Sequence, residues 1–261
     1  MNSKPSALEL DGVSFAYQNG SIGNGIPLLQ DFSLAVESGR ITALMGSSGS
    51  GKSTIAKVAA GIIDPHAGRV VRHPDFVRPC DVVYVDQAPL NSVFPWLDVG
   101  SNLTEPLREL GWSATEVTSR VSFIAETFQL LHVLDCKPKA LSGGELQRLA
   151  LARSLSWRPQ AAILDETLSS LDPPTRKLIL EALRRIVNED HSTLILITHY
   201  PQDALDLADR IVVLGGRPAV IVDDFETGMP FPRPLASSEY DALERRIGHS
   251  VRAINEKVET F

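Results

Sequence analysis

Cysteine is scarce. Cys80 and Cys136 are the two in 261 residues, far apart in the chain and outside any CxxC or Cys/His cluster. That argues against a structural zinc site and for a reducing compartment. Long apolar runs are missing as well. No stretch approaches the ~18 apolar residues that cross a bilayer, so any connection to a membrane runs through a partner. The opening segment "MNSKPSALELDG" has no basic stretch followed by an apolar one, so it is not expected to be a secretory signal. Positive charge is in deficit: 25 Lys and Arg face 32 Asp and Glu, a net charge of −7. A balance of that sign argues against a nucleic-acid partner held by a general basic field. Internal repeats and low-complexity tracts are also lacking.

What remains is ordinary for a globular protein. The chain is 43% hydrophobic and 22% charged, long enough for a sizeable core. Short apolar runs, "RITALM" at 40–45, "DVVYVDQ" at 81–87, "AAILDE" at 161–166, "TLILITH" at 193–199 and "RIVVLGG" at 210–216, read as strands. Helical patterns lie between them at 52–63, 173–190 and 201–209. Apolar strands alternating with helices predict a covered parallel sheet, an α/β fold. Ahead of these, "ALELDGVSFAY", "FSLAVE" and "GRVVR" predict further strands. "QNGSIGNG" at 18–25 reads as a loop or hairpin. Residues 98–157 break the alternation with i, i+3, i+4 periodicity and are expected to form an inserted helical subdomain. "GMPFPRPLASS" at 228–238 is Pro-rich and irregular, and a short helix over about 239–256 follows.

Chemistry concentrates at the end of the 40–45 strand. Gly46-Ser47-Ser48-Gly49-Ser50-Gly51-Lys52-Ser53-Thr54 replaces an apolar run with Gly and Ser and opens a helix. Glycines let the backbone curl and turn several N–H groups inward, and the helix N-terminus adds more under a favourable dipole. The pattern is that of a phosphate loop. Lys52 is placed to reach the β- and γ-phosphates, the Ser53 hydroxyl to hold Mg²⁺, and Thr54 to add a phosphate contact. Asp165 and Glu166 close a buried strand at its C-terminal end, the edge where ligands bind in open α/β sheets. Asp165 is the candidate Mg²⁺ carboxylate. Glu166 is the candidate base that orients or deprotonates an attacking water. "LSGGELQR" at 141–148 offers a second anion-binding helix start, with Ser142 as N-cap and Gly143 and Gly144 leaving amides open ahead of Glu145. One nucleotide does not need two such cradles. Two chains facing each other would use both, each nucleotide lying on the loop of one and under the Ser-Gly-Gly turn of the other.

Taken in order, "GSSGSGKST", Gln87 in "YVDQAP", "LSGGELQR", "AAILDE", "SSLD" at 169–172 and "ITH" with His199 resemble the ATP-binding subunits of ABC transporters, over roughly residues 7–225. The resemblance implies a RecA-like P-loop NTPase core with an N-terminal antiparallel β subdomain and an inserted α-helical subdomain. It divides a single 1–261 domain into a core of 1–90 and 158–225, a helical part of 91–157 and a tail of 226–261. It also implies that ATP and Mg²⁺ are the cofactors and that Tyr17 stacks on adenine. Gln87 touches Mg²⁺ or water and senses the membrane partner, His199 meets the γ-phosphate, and Asp172 communicates across a homodimer. Glu145 stands where many members have Gln, Thr167-Leu168 replace the Pro-Phe or Pro-Thr that often follows the catalytic Glu, and Asp86 precedes Gln87 where an aromatic is frequent. None of these removes a catalytic group.

"FPWLDVGSNLTEPL" at 94–107 and "PFPRPLASSEYDALERRI" resemble stretches of the nitrate/sulfonate/taurine import ATPases, with Pro95, Trp96 and Asn102 in register. That subgroup implies a cytosolic subunit peripheral to the inner membrane. Two copies dock under permease subunits, and a separate extracytoplasmic protein delivers a small anion. An exporter or lipid extractor, or a non-transport ABC ATPase, remain the alternatives. Phe94-Pro95-Trp96 packs in the helical subdomain on one reading and is an exposed docking site on the other. His66, His73, His132, His191 and His249 have no assigned partners.

Overall fold

The computed structural model describes residues 5–17, 27–169, 171–233 and 237–258. The expected loop at 18–25 and Ser170 of the "SSLD" stretch lie outside them. The apolar runs form the parallel sheet that their composition predicts. Strands β1 (Ser6–Phe15), β2 (Leu29–Glu37), β3 (Ile41–Gly46), β4 (Ala67–Arg72), β5 (Val82–Val85), β6 (Ala161–Asp165), β7 (Thr193–Ile197), β8 (Arg210–Gly215) and β9 (Val220–Glu226) divide into two sheets. The larger has the order β5-β6-β7-β3-β8-β9, parallel except for its last, antiparallel pair. Every residue of β3, β6 and β7 is buried, as strands covered on both faces require. The smaller sheet, β2-β1-β4, is antiparallel.

Side chains alternate across the larger sheet and feed two cores. Ile41, Ala43, Met45, Leu194 and Leu196 face one way, toward helices α4 (Gly143–Leu155) and α5 (Pro173–Asp190). Leu44, Ile195, Ile197, Val212 and Leu214 face the other, toward α1 (Lys52–Ala60) and the antiparallel sheet. The inserted helices are α2 (Val99–Glu109), α3 (Ala114–Thr127) and α4. Asp98 caps α2 by accepting from the Ser101 N–H at 2.7 Å, and Ser113 with Glu116 forms a capping box on α3. Arg120, buried in α3, donates to the carbonyls of Leu155 and Ser156 and pairs with Asp190 at the end of α5, tying the insertion to the core.

One element differs from expectation. β9 has no place in the sequence reading, because Val220, Ile221 and Val222 are exposed and three acids crowd its second half. It forms as the sheet edge, with Arg210 on Asp224 and Arg40 on Glu226. The final helix, α7 (Ser238–Val258), falls within two residues of the expected 239–256 at each end. It packs on α6 (Pro201–Leu207), where the Tyr240 hydroxyl donates to Asp206 at 2.8 Å and Gln202 to Glu244 at 2.7 Å.

Candidate active site

The turn after β3 is built for close backbone approach. A Cβ on Gly46 would collide with the Leu214 carbonyl of the neighbouring strand, so only glycine fits there. Gly51 caps α1 in the left-handed region at φ +91°, and the amides of the first turn have no acceptor within the helix. Lys52 is buried and folds back, its Nζ donating to the carbonyls of Gly46 at 3.0 Å and Ser47 at 2.9 Å. Burial pushes its pKa down, and the charges of Glu166 and Asp165 pull the other way. The Ser47 carbonyl also takes the Ser50 N–H. The Ser50 hydroxyl is 2% exposed and has no protein partner among the described residues, an unsatisfied buried donor in the loop itself.

Asp165 and Glu166 diverge at the end of β6. Asp165 is buried and accepts from the Ser53 hydroxyl at 3.1 Å on one oxygen and from the Tyr84 hydroxyl at 2.8 Å on the other. Burial first, then the bond to Asp165, raises the Tyr84 pKa. A hydroxyl and a carboxylate side by side are the hard oxygen donors that Mg²⁺ takes alongside substrate phosphates. Glu166 turns away through φ +52°, a strained conformation for a residue with a Cβ, held by its N–H on the Ile197 carbonyl at 3.1 Å. Its carboxylate reaches 3.9 Å from His199 Nδ1, just past the end of β7.

A pocket of about 270 Å³ opens above, lined by Ser48, Gly49, Lys52, Ser53, Thr54 and Glu166, and toward its mouth by Tyr17. The Tyr17 ring is half exposed, packs edge-on against Phe15, and its hydroxyl lies 3.3 Å from Thr54 Oγ1. Gln87 sits outside this group. Its Nε2 donates to Ser169 Oγ at 2.9 Å, and that hydroxyl donates to the Glu166 carbonyl at 2.9 Å, so Gln87 reaches the backbone of Glu166 through one intermediary.

The second candidate anion site lies apart, and none of its residues line the pocket. Ser142 caps α4 and forms a reciprocal box with Glu145. The cap pulls the Glu145 carboxyl down to about 2, chiefly through the Ser142 hydroxyl and N–H. Gly143 is open, and Gly144 abuts Thr175, so the N-termini of α4 and α5 are neighbours. Asp172 caps α5 by accepting from the Thr175 N–H at 3.2 Å. His132 has a partner after all: its Nε2 lies 3.0 Å from Glu145.

The sequence reading gave Tyr84 and Ser169 no role and His132 no partner, and it did not single out Leu28 and Arg217 on the pocket wall. The tyrosine had one usable signal, an aromatic hydroxyl in the strand next to the one carrying Asp165. Trp96 is 68% exposed and stacks on Phe94 at 5.2 Å, which decides for an exposed aromatic over core packing. Buried Asn102 holds the loop beneath it by bonds to Phe94, Leu97 and Asp98.

Comparison with known proteins gives the family. The family profile described as ABC transporter matches residues 29–169. The aliphatic sulfonates import ATP-binding protein SsuB 1 of Xanthomonas axonopodis pv. citri is 35% identical over 81% of this chain and 84% of its own length. The spermidine/putrescine import ATP-binding protein PotA of Frankia alni is 36% identical over 81% of this chain, which spans less than half, 46%, of that protein. A solved structure, cbiO1 from Clostridium perfringens, described as part of the ABC transporter complex cbiONQ, superposes with a TM-score of 0.74 over 97% of this chain and 99% of its own. At 22% identity that likeness speaks for the fold alone. Motif order, site geometry and family match converge: the chain belongs to the ABC transporter family, as one of its ATP-hydrolysing members.

Proposed function

We propose that the chain is the ATP-hydrolysing subunit of an importer for a small anion such as a sulfonate or nitrate. The observation that carries the ATPase part is the convergence of Lys52, Ser53, Asp165, Glu166 and His199 around one pocket edge. Lys52, Ser47, Ser48, Gly49, Ser50 and Thr54 bind the phosphates, and Tyr17 takes the adenine. Ser53 and Asp165 hold Mg²⁺, which when bound offsets phosphate charge. Glu166 accepts the proton of the attacking water, ATP and water giving ADP, phosphate and that proton. His199 contacts the γ-phosphate. Gln87, on Ser169, links the base to the outer surface.

Two copies close head to tail, each nucleotide bridging one phosphate loop to the partner's Ser142-Gly143-Gly144-Glu145 turn, with Asp172 beside it. Closure moves the permease, and hydrolysis reopens the dimer; ATP drives the cycle only because it binds the closed state better. Trp96, with exposed Leu90 nearby in sequence, is the docking anchor for the permease. Among the described residues no helix is long and apolar enough to cross a membrane, which suits a chain held peripherally on the cytoplasmic side. An extracytoplasmic binding protein supplies the cargo, and no nucleic acid is involved. Support for the anion comes from length as much as identity. The chain spans 84% of the sulfonate relative but 46% of the polyamine one.

The test is capture of tagged Glu166→Gln protein from native membranes solubilised with Mg-ATP. A polytopic permease at matched stoichiometry, encoded beside an anion-binding protein, is the expected result. Recovery with ribosomes, DNA or nothing would overturn the importer.

A further inference from the structure

Arg217 lines the nucleotide pocket yet belongs to none of the motifs. It lies in the turn joining β8 to β9, and packing fixes that turn. β8 pairs with β3 as far as Leu214 against Gly46, which sets the turn beside the phosphate loop. The Ala219 N–H donates to the Leu28 carbonyl at 2.9 Å, and the Leu28 N–H to the Phe15 carbonyl at 2.9 Å. The turn is thereby tied to the strand end that leads into Tyr17. Arg40, just ahead of β3, and Arg210, on β8, are both spent on carboxylates. Arg217 is exposed, and among the described residues its guanidinium makes no hydrogen bond or ion pair. Lys52 and the loop amides already serve the phosphate end. What the Tyr17 end offers is a half-exposed ring and an uncommitted planar cation, the two kinds of group that stack on a base.

We propose that Arg217 is a nucleotide-binding residue that, with Tyr17, forms the slot for the base and ribose of ATP. The inference rests on the ATP site described above and adds to it a contact from the β8–β9 turn. Calorimetric titration of the full chain with Mg-ATP and, separately, with Mg-tripolyphosphate tests it. Arg217→Ala and Tyr17→Ala are expected to weaken ATP about tenfold and leave tripolyphosphate within twofold, while Lys52→Ala weakens both. Arg217→Gln repeats the measurement if far-UV circular dichroism shows the alanine variant unfolded. ATP affinity within twofold of the parent in the Arg217 variants would overturn the proposal. So would equal losses on ATP and tripolyphosphate, which would make Arg217 a phosphate contact. Loss of neither ligand in Lys52→Ala would instead bring down the ATP site on which the proposal stands.

Discussion

Asp165 accepts one hydrogen bond on each carboxylate oxygen, from Ser53 and from Tyr84. The first joins two residues 112 positions apart, and both belong to motifs that spacing alone makes visible. The second does not. Tyr84 stands in a strand whose four residues are all apolar or aromatic, and its hydroxyl is the one feature that sets it apart from an ordinary core residue. Only the pairing of β5 with β6, Tyr84 level with Ile163, carries its hydroxyl to the acid at the end of the next strand. A hydrogen bond to a charged group is worth about 1.5–3 kcal/mol. Tyr84→Phe is therefore expected to weaken the apparent Mg²⁺ affinity of ATP hydrolysis by roughly tenfold. A Mg²⁺ titration of steady-state activity reads this, with a thermal melt to show that the fold survives. An unchanged Mg²⁺ midpoint would mean that Tyr84 merely packs.

Helix termini were the most legible elements, because capping chemistry is local. Ser142 as N-cap and the start of α5 at Asp172 could be placed from residue type alone, and the structure puts both where their side chains meet the third helical N–H. What holds the inserted helices to the core was not legible. Arg120 has no place in the sequence reading, yet it is 3% exposed and pairs with Asp190, 70 residues away. Breaking one side of a buried ion pair costs about 3–5 kcal/mol. At about 2–4 °C per kcal/mol for a chain of this size, Arg120→Ala is expected to lower Tm by roughly 10 °C. Differential scanning calorimetry would show it. A shift under 3 °C would mean that the core and insertion are held by apolar packing alone.

For the whole molecule, the proposed head-to-tail dimer predicts a quaternary state that depends on nucleotide. The parent chain without nucleotide is expected to run as a monomer of 28.4 kDa. Glu166→Gln with Mg-ATP is expected to run at twice that mass, with kcat reduced about 10²–10⁴-fold by loss of the base. Light scattering on a sizing column and an ATPase assay check both, and a Glu166→Gln chain that stays monomeric with ATP bound would remove the head-to-tail dimer. The α/β class was readable because parallel strands announce themselves as unbroken apolar runs. The sheet's true edge was not, since β9 owes its existence to pairing with β8 and not to its own pattern. That edge has a practical side. A bare β8 would offer its backbone to any passing chain, the route by which sheets polymerise. β9 covers it with Asp223, Asp224 and Glu226, each neutralised by an arginine from elsewhere, so strand addition would bury charge. Replacing those three acids with valine is therefore expected to make concentrated preparations aggregate, read as a rise in light scattering against the parent chain.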